Sequence, residues 1–212
     1  MSDISREKAL IFRITHIDNV PWILSHGIHC QSAATKDPAF RSIGDPDLIA
    51  RRSTRKVPIA PGGTLSDYVP FYFTPHSPML YKIKTGNGVP RIPMDDIVIL
   101  VSSLQKVVET GTPFVYTDRH AYVQTARYLA DLHDLDCIDW HLLRERNFQR
   151  DPNHPDRNER YQAEALVHRH LPVSALLGIA CHGPGPLERL LGMQATVGVC
   201  LKTVKKGSWY FR

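Results

Sequence analysis

The stretch Arg160-Tyr161-Gln162-Ala163-Glu164-Ala165-Leu166-Val167 organises this chain, because it places a carboxylate at the start of an apolar strand. A long polar segment, 144–160, leads into it. A carboxylate at a strand end, next to a charged loop, fits a group that orients a sugar or accepts a proton in a site that the loop covers. Alternation along a strand would place Gln162 and Glu164 on one face. We therefore interpret the chain as an enzyme built around this strand.

Strands and helices on either side of this stretch follow each other without a regular βαβ rhythm. The continuous apolar run Ile97-Val98-Ile99-Leu100-Val101 predicts a central buried strand, and Pro70 indicates an edge or a distortion in another strand. Further strands are predicted at 10–15, 67–73, 113–117, 196–201 and 209–211, and helices at 21–24, 46–52, 77–81, 122–133 and 187–191. Gly27 should close the first of these helices, and Asp45 and Ser77 should cap the starts of the second and third. The clearest helical pattern is that of 122–133, where apolar residues share one face. The elements predict one domain, 1–212, of the α/β (α+β) class, with mixed central β-sheets flanked by helices.

Composition places the chain among ordinary globular proteins. It has 212 residues, 42% of them hydrophobic and 22% charged, and this length can bury a substantial core. No apolar run approaches the length that crosses a bilayer, and the N-terminus Met1-Ser2-Asp3-Ile4-Ser5-Arg6-Glu7-Lys8 lacks the apolar stretch of a signal peptide. We expect a cytoplasmic protein with no membrane partner, and a monomer.

Cysteines and histidines are present but do not form ligand clusters. The cysteines are Cys30, Cys137, Cys181 and Cys200. Because no C-x-x-C pair occurs, free buried thiols are favoured over a disulfide framework. The eleven histidines include His168 and His170, which could share a strand face, but no third ligand accompanies them. We expect no metal cofactor.

The chain is basic, with a formal net charge of +5 at pH 7. A polyanionic partner would explain this charge, and so would a solvated basic face. The basic residues form three clusters: Arg51, Arg52, Arg55 and Lys56; Arg144, Arg146, Arg150, Arg157 and Arg160; and Lys202, Lys205 and Lys206. Two of these clusters lie beside candidate site residues, which favours phosphate contacts.

Polar groups collect where strands end, and each group has a functional and a structural interpretation. Thr15, His16 and Asn19 supply a hydroxyl, an imidazole and an amide for phosphate or amide recognition, but simple helix capping would use the same residues. Thr117-Asp118-Arg119-His120 follows a predicted strand, either as part of a site or as a local turn network. Glu164 could be an edge-strand carboxylate paired with an arginine. The sequence has neither a G-x-G-x-x-G motif nor a P-loop, so a bound nucleotide would have to be held by other residues.

Four strings occur in a characteristic order along the chain. They are Ile14-Thr15-His16-Ile17-Asp18-Asn19, then Asp67-Tyr68-Val69-Pro70-Phe71-Tyr72-Phe73 with Ser77-Pro78-Met79-Leu80, then Phe114-Val115-Tyr116-Thr117-Asp118-Arg119-His120, and finally Gln162-Ala163-Glu164. This series resembles the DarT family of DNA ADP-ribosyltransferase toxins, and the second string is highly specific. The resemblance spans almost the whole chain, from the first strand to beyond Glu164.

The resemblance implies an ADP-ribosyltransferase-like fold that cleaves NAD and attaches ADP-ribose to a base in single-stranded DNA. The family includes members that modify thymidine and members that modify guanosine, and the closeness of the motifs favours thymidine. It implies that Glu164 and Arg52 are the catalytic pair and that the loop 139–160 recognises the substrate. The residues implied on the NAD side are Thr15, His16, Asn19, Arg52 and Met79, and those implied on the DNA side are Arg51, Tyr72, Arg119, His120 and Arg157. The implied partner is an ADP-ribosyl hydrolase antitoxin with a macrodomain.

Two positions depart from the family pattern. The family's first strand often carries His two residues before the equivalent of Thr15, where this chain has Arg13. The aromatic string is often followed by Pro-Arg-Ser-Pro, where this chain has His76 in place of the arginine.

Two alternatives from other functional classes stay open at this point. One is a non-catalytic module that binds single-stranded nucleic acid through the basic clusters and aromatic residues. The other is a metal-free ribonuclease-type toxin with His16 and His120 as acid and base. Release of nicotinamide separates the proposed transferase from both.

Overall fold

The computed structural model describes residues 4–211, which contain ten strands and seven α-helices. The strands are β1 Leu10–His16, β2 Ile28–His29, β3 Tyr68–Tyr72, β4 Ile97–Ser103, β5 Phe114–Thr117, β6 Tyr128–Leu129, β7 Glu164–His168, β8 His170–Leu171, β9 Gly178–Cys181 and β10 Thr203–Lys205. The helices are α1 Val20–His26, α2 Pro46–Arg52, α3 Pro78–Thr85, α4 Leu104–Glu109, α5 Trp140–Glu145, α6 Arg157–Arg160 and α7 Pro184–Val197.

Eight of the strands form one mixed sheet in the order β10-β9-β4-β1-β3-β7-β5-β6. Its neighbours are antiparallel except for β9 and β10, which are parallel, and β2 and β8 form a separate pair. The predicted mixed sheet is therefore confirmed. β4 lies between β9 and β1, and Ile97, Val98, Ile99 and Leu100 are fully buried, which confirms it as a central strand.

Helices cover both faces of the sheet. Alternate side chains of each strand point to opposite sides, so each face has its own apolar surface to bury. Ile11 of β1 packs in one apolar cluster with residues of α1 and α7, including Ile23 and Leu190. Phe12, its neighbour in the chain, packs in a second cluster with Leu80 of α3. The sheet is thus the central layer between two hydrophobic cores.

β1 and β3 diverge and leave an opening in the sheet. β1 pairs with β4 along its whole length, but with β3 only at Phe12 and Tyr72. Pro70 of β3 has no amide N–H to extend a ladder, and its carbonyl oxygen accepts a 2.9 Å hydrogen bond from Arg13 Nη1. The predicted distortion at Pro70 is confirmed, whereas the predicted edge is wrong, since β3 lies between β1 and β7.

Several helix ends form as their sequences predict. The Asp45 side chain caps α2 by accepting hydrogen bonds from two backbone amides, and Ser77 Oγ caps α3 in the same way through the Leu80 amide. Gly27 ends α1 with φ +76, and a Cβ there would overlap His170 and Leu171. Glycine is required at this turn because both the backbone angle and the close approach exclude a side chain.

The predicted helix at 122–133 is wrong. Turns, the short strand β6 and a 3-10 helix that begins at Leu132 occupy this region. The Asp118 side chain accepts a hydrogen bond from the Arg127 amide (3.0 Å), and Tyr128 pairs with Thr117 of β5. Its backbone groups therefore find partners in β5 and the turn after it rather than four residues away, and tertiary pairing overrides the helical pattern.

The C-terminal region also differs from its prediction. The helix predicted at 187–191 extends over Pro184–Val197 and ends at Gly198 in the left-handed conformation. The strands predicted at 196–201 and 209–211 are wrong. The edge strand is instead Thr203–Lys205, followed by a 3-10 turn at Gly207–Trp209.

All four cysteines are free thiols. Cys30 and Cys181 are buried, whereas Cys137 is half-buried and Cys200 is exposed, so the prediction of burial is wrong for Cys200. In residues 4–211 we find no helix with both the length and the apolar character needed to span a bilayer.

Candidate functional site

Glu164 lies at the first position of β7 and is only 3% exposed. Because β7 pairs with β3 on one side and β5 on the other, the edge-strand interpretation of this carboxylate is wrong. Gln162 lies in the turn before the strand, and its side-chain amide donates to Asn158. The two residues therefore do not share a strand face as predicted, and Glu164 stands alone at the strand end.

Both carboxylate oxygens of Glu164 are held by donors from distant parts of the chain. Oε2 accepts a 3.0 Å hydrogen bond from Arg52 Nη1, at the end of α2. Oε1 accepts a 3.0 Å hydrogen bond from the Ala121 amide, and His120 Nε2 lies 3.9 Å from the same oxygen. The structure thus brings the predicted catalytic pair together and adds His120 to it.

The protonation states of this group follow from burial and charge. Burial alone would raise the pKa of Glu164, but Arg52, His120 and the Ala121 amide outweigh it, so that the pKa is lowered from its usual value. Burial lowers the pKa of His120, and the nearby Arg52 lowers it further, although Glu164 acts in the opposite direction. At neutral pH the site therefore holds a carboxylate beside a neutral imidazole.

Arg52 has a second donor group that no described residue binds. Its side chain is 11% exposed, and its Nη2 is buried with no hydrogen-bond partner among residues 4–211. A buried N–H without a partner is unfavourable in a folded protein and calls for an explanation, of which a role in the site is one. This geometry leaves Arg52 able to bind Glu164 and a substrate group at once.

Hydrogen bonds of the turn between β5 and β6 support the residues around Glu164. Thr117 Oγ1 accepts from the Glu164 amide (3.3 Å) and donates to the Arg119 carbonyl (2.6 Å). The Tyr128 hydroxyl donates to the Ala121 carbonyl (2.6 Å), which orients the peptide that follows. The two interpretations of 117–120 therefore describe one arrangement: a local turn network that positions groups around Glu164.

A cleft of about 330 Å³ opens where β1 and β3 diverge, a size that suits a small-molecule ligand. The residues that line it around Glu164 are Arg13, Arg52, Tyr72, Met79 and His120. Apolar residues form a further part of the wall: Trp22, Ile23, Ile28, Leu65 and Tyr68. The segment 31–45 supplies the remaining wall together with the start of α2. This segment and the apolar wall were not among the predicted site residues.

Asn19 fixes the segment 31–45 against the sheet. Its Nδ2 donates to Thr15 Oγ1 and to the Arg41 carbonyl (both 2.9 Å), and its Oδ1 accepts from the Arg41 amide (2.8 Å). His16 Nδ1 accepts from the Asp18 amide (3.2 Å), as a helix cap. Of these predicted NAD-side residues, Thr15 lines the cleft, whereas neither Asn19 nor His16 is among its described lining residues.

Arg13 is a pocket residue that was not assigned a role from the sequence. Its side chain is half-buried in the cleft. Burial and the nearby Arg52 lower its pKa to about 10, so that it stays protonated at neutral pH. Its position on β1, two residues before Thr15, was the available signal, since both side chains reach the opening between the strands.

The residues predicted to contact DNA differ in how they are engaged. Arg51 is exposed, and its guanidinium carbon lies 5.4 Å from the centre of the Tyr122 ring. Arg119 faces Asp118 at 3.4 Å. Arg157 binds Glu145 at 2.7 Å, within the segment 139–160, where the predicted loop contains two short helices, α5 and α6. Only Arg51 of these three arginines is without an ion pair to the described carboxylates.

Tyr72 and Met79 line the cleft as polar and apolar neighbours of the carboxylate. Burial, followed by the charge of Glu164, raises the pKa of Tyr72, so its hydroxyl stays neutral. No group of three or more His, Cys, Asp and Glu side chains among residues 4–211 is placed to hold a metal ion.

Comparison with known proteins identifies the family. A family model described as ssDNA thymidine ADP-ribosyltransferase, DarT, matches residues 12–211. A DNA ADP-ribosyl transferase of Escherichia coli O127:H6 is 45% identical over 99% of this chain and 97% of its own. Thermus sp. 2.9 DarT in complex with ADP-ribosylated ssDNA superposes with a TM-score of 0.89 at 34% identity, covering 97% of both chains, and its complex with NAD+ does so with a TM-score of 0.86.

A more distant relative joins two activities in one chain. It is a DNA ADP-ribosyl transferase-DNA ADP-ribosyl glycohydrolase fusion protein of Thermosipho africanus, 32% identical over 34% of this chain and 19% of its own. The family model and the E. coli relative each cover nearly all of this chain. The chain therefore belongs to the DarT family of single-stranded-DNA thymidine ADP-ribosyltransferases.

Proposed function

We propose that this protein transfers ADP-ribose from NAD to thymidine in single-stranded DNA. The observation that carries the proposal is the buried, ionised Glu164, bound to Arg52 in a cleft of ligand size. The relative from Thermus, which has NAD+ and ADP-ribosylated ssDNA in its complexes, supports the choice of substrates.

The reaction exchanges one bond at the anomeric carbon for another. The bond from this carbon to nicotinamide breaks, and nicotinamide leaves with the bonding electrons. The ring nitrogen of thymine forms the new bond, and its proton passes to a base. The transition state carries positive charge on the ribose, so that the protein contributes mainly positioning and electrostatic stabilisation.

Glu164 and Arg52 divide this work between them. The ionised carboxylate would stabilise the cationic sugar and accept the thymine proton, either directly or through Arg52. The free Nη2 of Arg52 would bind the thymine as its negative charge develops. The neutral His120, whose Nε2 lies 3.9 Å from Glu164 Oε1, would lie beside the bound thymine. Because Arg52 and Ala121 already hold the carboxylate, little reorganisation is needed during the reaction.

We assign NAD to the part of the cleft that Thr15 and Met79 line. Asn19 and His16 would act on NAD indirectly, since Asn19 anchors the segment 31–45 and His16 caps the turn that follows β1. This assignment keeps the predicted NAD-side residues, but makes two of them positioning residues.

We assign the DNA to the side of the cleft that Tyr72 and His120 line, and we include the exposed Arg51, the chain neighbour of Arg52. The segment 139–160 would recognise the strand as a semi-rigid unit. Arg157 binds Glu145 and Arg119 binds Asp118, so these two arginines would contact phosphates only by sharing their charge with carboxylates. Arg51 has no such partner among the described residues and is therefore the strongest candidate for a phosphate contact.

The cellular role follows from the family. We propose that the protein is the toxin of a toxin–antitoxin pair, acts on DNA as a monomer in the cytoplasm, and is opposed by a macrodomain glycohydrolase. The Thermosipho africanus fusion, whose two named activities are transfer and hydrolysis of ADP-ribose on DNA, supports this partner.

The direct test measures nicotinamide release and mass transfer together. The protein is incubated with NAD and a mixed-sequence single-stranded DNA oligonucleotide or, in a parallel reaction, with an RNA oligonucleotide, and the products are analysed by mass spectrometry. We expect one ADP-ribose per modified base, on thymidine, with equimolar nicotinamide. Intact NAD with unmodified DNA would favour the binding module, and shortened RNA without nicotinamide would favour the ribonuclease.

A further inference from the structure

A second guanidinium lies in the cleft with no carboxylate to neutralise it. Arg13 lines the cleft together with Arg52, but only Arg52 forms an ion pair, with Glu164. Within residues 4–211 the single hydrogen bond of the Arg13 side chain goes from Nη1 to the Pro70 carbonyl. A half-buried cation without an anionic partner is unfavourable unless a ligand supplies the charge.

The charges around Arg13 leave this part of the cleft positive. Arg52 and Glu164 offset each other, and the Tyr72 hydroxyl and His120 imidazole are neutral at pH 7. Asp37 and Asp45 also line the cleft, but Lys36 beside Asp37 lines it too and offsets that charge, and Lys82 lies 3.8 Å from the Asp45 carboxylate. One positive charge therefore remains at Arg13, beside the group that binds the reacting ribose.

The hydrogen bond to Pro70 fixes the orientation of the guanidinium. Arginine presents five N–H donors in a rigid plane that matches the oxygens of phosphate groups. Because Pro70 occupies one donor, the others remain for the cleft. NAD carries two negative charges, both on the diphosphate that joins its two nucleosides, close to the ribose that Glu164 would hold.

We propose that Arg13 binds the diphosphate of NAD and thereby selects the dinucleotide as the substrate. This inference rests on the proposed function, because it identifies a residue for the same cleft. The competing explanation is that Arg13 only connects β1 to β3 through Pro70, where the missing proline N–H leaves the ladder incomplete. A purely structural bond would affect every ligand equally, whereas a diphosphate contact would affect only phosphorylated ones.

The test compares ADP with adenosine as ligands of the wild type, Arg13→Gln and Arg13→Lys, by calorimetry without DNA. The control is Lys106→Gln, which removes the same charge from a partly exposed side chain of α4, where Lys106 pairs with Glu109. Since hydrogen bonds to charged groups contribute roughly 1.5–3 kcal/mol, we expect Arg13→Gln to weaken ADP binding about 10- to 100-fold and adenosine binding less than about twofold. Arg13→Lys should lie between, and the control should match the wild type.

Kinetics separate NAD from DNA as the source of the bound phosphate. In nicotinamide-release assays, Arg13→Gln should raise KM for NAD and leave KM for the oligonucleotide unchanged. Equal weakening of ADP and adenosine, no weakening of either, or a rise in KM for the oligonucleotide alone would overturn the inference. If Arg13→Gln does not fold, Arg13→Lys gives the same comparison with a smaller expected effect. Failure of the wild type to release nicotinamide would reject the proposed function instead, which keeps the two results apart.

Discussion

Arg52 Nη1 donates a 3.0 Å hydrogen bond to Glu164 Oε2 across 112 positions of the chain. Arg52 is the last residue of α2 and Glu164 is the first residue of β7, so the pair joins a helix end to a strand end. Each side chain alone would be an uncompensated charge in a nearly closed environment. The bond therefore links the position of α2, and of the segment 31–45 before it, to the carboxylate of the site.

Glu164→Gln should remove most activity and keep the fold. The amide has nearly the shape of the carboxylate and can still accept from the Ala121 amide, but it cannot accept a proton or balance the ribose charge. Since general-base catalysis alone contributes about 10²- to 10⁴-fold, we expect DNA modification to fall by at least that factor. Quantitative mass spectrometry of the oligonucleotide measures the rate of DNA modification.

The control for this variant is Glu109→Gln, which removes the same charge from an exposed position of α4. Both variants should give the circular dichroism spectrum of the wild type. Modification by Glu164→Gln at the wild-type rate would show that Glu164 is not the catalytic carboxylate.

Arg52 and Arg51 are neighbours in the chain, but their alanine variants should differ strongly in stability and activity. Arg52→Ala leaves Glu164 buried without its ion-pair partner, which should lower the free energy of unfolding by about 3–5 kcal/mol and reduce kcat strongly. Arg51 is exposed on the same helix, so Arg51→Ala should change stability by less than about 0.5 kcal/mol and raise only KM for DNA. Denaturant unfolding and steady-state kinetics on both variants test this. Equal and mild effects would mean that the arginine pair only binds DNA.

Local signals in the sequence predict much of the fold. The Asp45 and Ser77 caps and the Gly27 turn were predicted correctly, because their interactions involve residues close along the chain. The helix predicted at 122–133 was wrong because its competing partner, β5, is set by pairing in the sheet. Local patterns cannot report which distant strand will supply a backbone partner.

In the site, too, some residues could be predicted from the sequence and others could not. Glu164 could be found because a carboxylate at the start of an apolar strand is unusual in itself. Arg13 was visible only as a departure from the family pattern, and the apolar wall around Trp22 was not found, because local patterns do not show which distant side chains line one cleft. His16 and Asn19 were recognised as polar residues at a strand end, but only the structure distinguishes a helix cap and a segment anchor from a ligand contact.

Asn19→Ala should loosen the cleft wall. The substitution removes two hydrogen bonds to Arg41 and one to Thr15. Because net hydrogen bonds contribute about 0.5–1.5 kcal/mol each, losing three of them should lower the free energy of unfolding by roughly 1.5–4.5 kcal/mol. KM for NAD should rise, as the segment 31–45 lines the cleft. Asn87→Ala, in an exposed turn after α3, is the control. An Asn19→Ala variant of wild-type stability would show that Asn19 does not anchor the segment.

His76 should make the protein sensitive to acid. Burial, with a contribution from Arg146, lowers the pKa of His76 from 6.5 to about 4, and its Nε2 contacts the Ser208 carbonyl at 2.9 Å. The fold therefore favours the neutral ring. The resulting stability is complete above pH 6.5 and is lost as the pH falls towards 4, by up to roughly 3 kcal/mol.

His76→Gln should remove this part of the pH dependence. Urea unfolding of the wild type and the variant between pH 4 and pH 8 gives the difference between their curves, which should narrow towards low pH. His141→Gln removes a histidine that is 78% exposed and should leave the curve unchanged. A constant difference between wild type and His76→Gln across this range would contradict the prediction.

Single-stranded DNA should be modified and duplex DNA should not. Glu164 is 3% exposed at the base of a cleft, and the thymine ring nitrogen lies on the edge that base pairing covers. A paired thymine would first have to unpair and leave the stack, which costs a few kcal/mol. We therefore expect labelled NAD to modify a single strand at least about 10-fold faster than the same strand in a duplex. A duplex with one thymine in an unpaired bulge is the decisive control, because it should regain most of the single-strand rate, and equal labelling of the single strand and the full duplex would reject the requirement for an unpaired base.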